Sequence, residues 1–333
     1  MSVPVVAFFN NKGGVGKTSL AYHLAWMYAL LGGRVLAADL DPQANLTAAF
    51  LDDQRVEQLW PDGPHPDTVL GAVQPILDGT GDIDQPTPVS IDDHLHLLAG
   101  DLGLSPFEND LSAQWPLCLD GRPRPFRVIS AFWRVLQQAA GQCGAGVILV
   151  DVGPNLGALN RAALVATDFV VVPLAPDVFS LQGLRNLGPT LRTWRQEWHE
   201  RLGHRPADPP LTLPSGRMEP VGYVVLQHAV RLDRPVWAYE RWIRRIPDEY
   251  RQAVLDQSEA GGTTDIDQDP NCLALIKHYR SLMAMAQEAQ KPMFSLLPAD
   301  GAIGAHATAA RRVRDDFEHL AHRIAERVGY RLD

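Results

Sequence analysis

The sequence predicts an α/β protein built on a doubly wound, mostly parallel sheet with helical insertions. Three observations point there. Short apolar runs such as "VPVVAFFN", "GVILVDVGPN" and "FVVVPLAP" each stop at polar or turn-forming residues, and runs without polar alternation read as strands buried on both faces. Helical periodicity falls between them, the rhythm of a sheet covered by helices on both sides. The first run leads into "NNKGGVGKTSLAYHLA", a glycine-rich loop opening a helix, which is the connection of a phosphate-binding βαβ unit.

Residues 3–10 form the first strand. From Thr18 the apolar residues Leu20, Ala21, Leu24, Ala25, Tyr28 and Leu31 recur at helical spacing until Gly32-Gly33 stops the helix. "RVLAADLDPQ" is a second strand ending in acidic residues. Residues 52–93 are rich in Pro, Gly and Asp and predict a loop-rich excursion with one short helix. Strands follow at 94–100, 146–151 and 169–176, with helices at 126–140 and 178–202. The proline-rich stretch 204–220 reads as a loop, and "VGYVVLQ" as a further strand. Residues 236–290 predict a helical insertion broken by "SEAGGTTDIDQDPN". "MFSLLPADG" predicts a last short strand, and 305–328 a helix. With no internal repeat, a single domain over 1–333 is the simplest organisation.

Composition narrows the function classes. A hydrophobic fraction of 46% and a charged fraction of 21% are those of an ordinary globular protein. The cysteines, Cys118, Cys143 and Cys272, are too scattered for a zinc site or a disulfide framework, so a reducing, cytoplasmic setting is expected. No run approaches the length of a membrane span. The net charge of −9 argues against a generally basic nucleic-acid coat and leaves room for a local basic patch.

The chemistry concentrates at the glycine loop. In a phosphate loop, glycines let backbone N–H groups converge on phosphate oxygens while the helix N-terminus adds its positive dipole end. Gly13, Gly14, Val15, Gly16, Lys17, Thr18 and Ser19 form that cradle. Lys17 is placed for the β and γ phosphates and Thr18 for Mg²⁺. A dinucleotide G-x-G-x-x-G beginning at Gly14 fails, because its last position is Ser19. Asp151 closes a strand as a Walker B aspartate would. Asp39 and Asp41 sit two apart beside it, on one face if the strand continues. The loop departs from G-x-x-x-x-G-K-[ST] at its first position, where Asn11 replaces glycine and Lys12 adds a second positive charge.

"NKGGVGKTS", "ADLDPQANLT" and "ILVDVGPNLGALNRAAL" resemble the deviant Walker A ATPases of the ParA/MinD group, with ParA-type partition ATPases nearest. The resemblance is strong over residues 1–51, good over 95–200 and thin beyond 220. It implies ATP and Mg²⁺ as cofactors, ATP hydrolysis and an ATP-dependent homodimer. Lys12 is then the lysine reaching the partner subunit's phosphates, Lys17 the lysine acting in its own subunit, and Asp41 the aspartate orienting the attacking water. The resemblance makes Thr18 the metal ligand and puts Pro298 in "FSLLPADG" beside the adenine, while the strand-end carboxylates Asp39 and Asp151 are expected to reach the metal through water. The family further implies a hydrolysis-stimulating partner and non-specific DNA contact, for which Arg231, Arg234, Arg241, Arg244, Arg245, Arg311, Arg312 and Arg314 are candidates. An ATP-dependent regulatory subunit without a role in DNA partition is the alternative. Two departures bear on hydrolysis: Val-Gly-Pro follows Asp151 where a Pro-Pro pair is usual, and Gln182 stands for a frequent glutamate. Val313, Phe317, Leu320, Ile324 and Val328 make an apolar stripe on the last helix, which reads as core packing and not a membrane face because the opposite face mixes acids with arginine.

Overall fold

The buried runs become strands of one eight-stranded sheet in the computed structural model, which describes residues 2–207, 211–227, 241–257, 265–277 and 279–332. The strands are β1 (Val5–Phe8), β2 (Val35–Asp39), β3 (Val89–Asp92), β4 (Leu95–Leu98), β5 (Val147–Asp151), β6 (Phe169–Leu174), β7 (Glu219–Gln227) and β8 (Cys272–Lys277). Their order is β3-β4-β2-β5-β1-β6-β7-β8. Neighbours run parallel throughout, apart from the antiparallel pair β3 and β4. From β1 the sheet grows one way through β5, β2 and β4 and the other way through β6, β7 and β8. Such a reversal opens a crevice at the C-terminal strand ends.

In chain order the helices described are α1 (Lys17–Leu30), α2 (Asn45–Phe50), α3 (Asp53–Leu59), α4 (Val69–Leu77), α5 (Phe107–Leu117), α6 (Pro123–Ile129), α7 (Ala131–Cys143), α8 (Ala158–Val165), α9 (Val178–Gly203), α10 (Ile246–Glu249), α11 (Arg280–Ala289) and α12 (Ala305–Val328). Successive residues of β1 face opposite ways. Val5 and Ala7 join a core with α4 to α10, whereas Val6 and Phe8 join a second core with α1, α2, α11 and α12. Helix α1 is enclosed: every residue from Leu20 to Ala25 is buried, and Tyr28 Oη donates to Ala321 O of α12 at 3.1 Å. The apolar stripe Val313, Phe317, Leu320, Ile324 and Val328 is buried in this second core. Among the described residues, no helix is long and apolar enough to cross a membrane.

Four expectations need correction. The 52–93 stretch carries α3, α4 and β3. Helix α3 buries only Leu59 along its length, so it has almost no apolar periodicity, and α4 contains Pro75, a residue that normally argues against a helix. The expected helix at 126–140 is two helices meeting at Ser130, preceded by α5, which the pattern did not suggest. Within 236–290, helix α10 runs into a π turn at Tyr250–Val254, but "CLALIK" is the parallel strand β8 and not helix. A six-residue apolar run cannot be told from a helix segment by periodicity. Finally, "MFSLLPADG" forms two 3₁₀ turns, Met293–Ser295 and Pro298–Asp300. The Asp300 carboxylate accepts from Leu297 N at 2.9 Å, closing a turn where a ladder would need that donor.

Candidate functional site

Where β1 ends, Asn10 anchors the loop. It is fully buried; its Nδ2 donates to Pro173 O at 2.7 Å and its Oδ1 accepts from Lys12 N at 3.0 Å. Gly14 (φ 71°) and Gly16 (φ 81°) then take the left-handed backbone that turns successive N–H groups inward. A Cβ on Gly13 or Gly14 would meet nothing within 4 Å, whereas one on Gly16 would stand 2.4 Å from Leu226 Cδ1. The loop is therefore open on one side and packed on the other. Helix α1 begins without a side-chain cap, so its first N–H groups are left for an anion.

Lys17 is 7% exposed. Its Nζ curls over the loop to Asn10 O and Lys12 O, each at 3.3 Å. Burial lowers its pKa, against the opposing pull of Asp151 and Asp41. Thr18 Oγ1 donates to Asp151 Oδ2 at 2.6 Å, while Asp151 Oδ1 is buried with no partner. An unpaired carboxylate oxygen beside a hydroxyl is an all-oxygen donor set of the kind Mg²⁺ takes together with waters and phosphate, so these residues fit the ion. Asp39 lies opposite Asp151 across β2 and β5. Burial drives both carboxyls upward in pKa, and for Asp151 the Asp39 charge adds to it.

Asp39 has partners that the strand-end spacing did not suggest. Its Oδ2 accepts from both N and Oγ1 of Thr47 at 2.8 Å, and Gly100 packs so closely that a Cβ there would lie 2.8 Å from Asp39 Cγ. This carboxylate ties β2 to the start of α2. Asp41, past the end of β2, instead lines the cavity above the loop, its Oδ1 accepting from Gln43 N at 3.0 Å. Lys12 points the other way from Lys17. Its ammonium is paired with Asp177 and lies 5.7 Å from the Phe179 ring centroid. Asp177 also caps α9 by accepting from Ser180 N at 2.8 Å. Burial raises the Asp177 pKa, yet the Lys12 ammonium and the Ser180 N–H outweigh it and hold the carboxyl below its usual range.

The cavity has a volume of about 770 Å³ and runs from Gly13, Lys17 and Thr18 to Met283, Ala286 and Gln287 of α11. It is lined by α11 where the sequence led us to expect Pro298, which is not among its lining residues. His23 joins α1 to the 3₁₀ turn that follows α11: its Nδ1 contacts Ser19 O at 2.7 Å and its Nε2 accepts from Met293 N at 3.2 Å. Burial pushes its pKa down to about 4. Asn10, Thr47 and His23 carry no sequence signal of these roles, since each reaches a partner far along the chain: Pro173, Gly100 and Met293. Of the candidate DNA-facing arginines, Arg231 and Arg234 lie outside the described residues. Arg241 and Arg245 lie 5.2 and 5.3 Å from the Trp242 ring centroid, and Arg311, Arg312 and Arg314 are exposed on α12.

A family profile described as an AAA domain (AAA_31) matches residues 3–203. The chromosome-partitioning ATPase Soj of Thermus thermophilus is 32% identical over 199 residues, 59% of this chain and 65% of its own. A putative replication protein A of Rhizobium rhizogenes is 33% identical over 180 residues, 54% of this chain and 42% of its own. Both matches thus span less than two thirds of the relative. Among solved structures, protein DIP2308 from Corynebacterium diphtheriae superposes with a TM-score of 0.71 at 25% identity, covering 98% of each chain.

Proposed function

We propose a function from one premise: the chain belongs to the AAA-domain family AAA_31 and is a ParA/MinD-type P-loop ATPase. On that premise it binds ATP with Mg²⁺, dimerises around two nucleotides and hydrolyses them, acting as a switch in DNA partition or cargo positioning. The observation that carries the reading is the Thr18–Asp151 contact, with one Asp151 oxygen unused, beside a left-handed glycine loop crossed by Lys17.

Thr18 would hold Mg²⁺ directly and Asp151 one of its waters, and the bound ion would supply charge neutralisation on the β and γ phosphoryl oxygens. The residues of the chain do the rest. Lys17, already desolvated, offsets γ-phosphoryl charge with little reorganisation. Asp41 faces the cavity and orients the water for in-line attack. Lys12 leaves Asp177 to reach the second subunit's phosphates, so dimerisation exchanges one carboxylate partner for phosphate.

Binding to random-sequence DNA in the presence of ADP, ATP and a slowly hydrolysed ATP analogue tests the role. Binding that appears only with ATP or the analogue, and weakens with salt, is the expected outcome. An ATP-dependent dimer indifferent to DNA across low salt contradicts the partition role and favours a regulatory subunit of another complex.

A further inference from the structure

Between Asp151 and α8 the chain runs Val152-Gly153-Pro154-Asn155-Leu156-Gly157, and one side chain holds this turn. Asn160, in the first turn of α8, is fully buried. Its Nδ2 donates to Gly153 O at 2.8 Å and to Asn155 O at 2.7 Å, tying the two ends of the Gly153–Asn155 turn to the helix. Its Oδ1 is buried without a partner. An unmet acceptor costs free energy in the folded state, which offsets what the two donated bonds contribute. Stability alone is therefore a weak account of this amide, and its placement calls for another.

What the turn faces supplies one. A Cβ on Gly153 would stand 3.2 Å from Asp41 Oδ1 and 3.5 Å from Asn160 Nδ2. A side chain at Gly153 would thus crowd the Asp41 carboxylate, for which the bare glycine leaves room. On its other side, Oδ1 accepts from Gln43 N at 3.0 Å. That oxygen is held by one backbone donor with Gly153 alongside, and among the described residues Oδ2 has no protein donor. That is the arrangement a water-orienting carboxylate needs: one oxygen fixed by the protein, the other left for solvent.

We propose that Gly153 and Asn160 are a positioning pair for Asp41: Asn160 sets where the turn lies, and the missing side chain at Gly153 lets the Asp41 carboxylate close onto it. Neither residue touches the reacting atoms. The pair rests on the reading of Asp41 as the residue that orients the attacking water.

Steady-state ATP hydrolysis with Mg²⁺ tests it, using Gly153→Ala, Asn160→Asp, Asp41→Asn and the double variant Gly153→Ala/Asp41→Asn. Gly153 is outside the left-handed region, so the added methyl meets Asp41 without backbone strain. Asn160→Asp keeps shape but removes both donors. Each single change at the pair lowers kcat by about tenfold or more, as displacement of a reacting group by a fraction of an ångström does, and leaves KM within about twofold. The methyl adds no further loss to Asp41→Asn, because both act through the same group. Unchanged kcat in Gly153→Ala overturns the pair even if Asn160→Asp fails to fold, and so does a methyl effect that persists in full in the Asp41→Asn background. A wild type that binds ATP without hydrolysing it, or an Asp41→Asn variant with wild-type kcat, instead overturns the reading of Asp41 and the pair with it.

Discussion

Lys12 and Lys17 stand five positions apart on one loop and do different things. Lys17 is buried against the loop's own carbonyls, with Asp151 and Asp41 near enough to favour its charge. Lys12 is partly exposed and bound to Asp177. The sequence marks Lys12 as an extra charge, because the spacing of a P-loop calls for Lys17 alone, but its pairing with Asp177 was not legible there. The supporting residues were not legible. Asn10 works through Pro173, and His23 through Met293, partners that only the folded chain brings near. His23 gives a residue-scale prediction. Its folded pKa is pushed down to about 4 by burial, below its unfolded value, so its contribution is complete above about pH 6.5 and is lost as pH falls toward 4. The loss amounts to roughly 3 kcal/mol over that window. Asp39 and Asp151, whose pKa values burial raises, act in the opposite sense by losing stability as pH rises. The clean comparison is therefore denaturant unfolding of the wild type against His23→Gln, in which the carboxyl contributions cancel. The wild type's advantage should shrink between pH 7 and pH 4; a constant gap would contradict the assignment of a neutral buried imidazole.

At the scale of elements, what could be read from sequence was whatever solvent and core disagree about strongly. The central strands were legible as continuous apolar runs because helices cover both their faces. Helix α12 was legible because one stripe alone is buried. Elements with a weak apolar contrast escaped: α3 lies on the surface, and the edge strand β3 alternates between partly buried and exposed residues. Strand β8 escaped for the opposite reason, being too short and too apolar for its period to be decided. The stripe on α12 is where packing energy is most exposed to test. Phe317 is 2% exposed and stacks on His23 with ring centroids 5.0 Å apart. Phe317→Ala should cost about 3–5 kcal/mol in equilibrium unfolding. A change below about 1 kcal/mol, the range of surface substitutions, would mean that this face is not the core contact described.

For the whole molecule, the sheet order places β1 at the reversal and so gathers the glycine loop, Asp41 and α11 around one cavity, with Asp151 buried behind Thr18. A net charge of −9 makes any nucleic-acid contact a local matter, confined to patches such as the arginines of α12. On the function proposed above, the catalytic unit holds two chains, one contributing Lys17 and the other Lys12 to each nucleotide. Sedimentation velocity of the wild type and of Lys12→Ala with ADP, ATP and a slowly hydrolysed ATP analogue tests this most directly. A doubling of mass is expected for the wild type with ATP or the analogue alone, and a single-chain mass for Lys12→Ala at nucleotide concentrations that still saturate it. A wild type that keeps one mass in every nucleotide, or a Lys12→Ala variant that doubles with ATP, would contradict it.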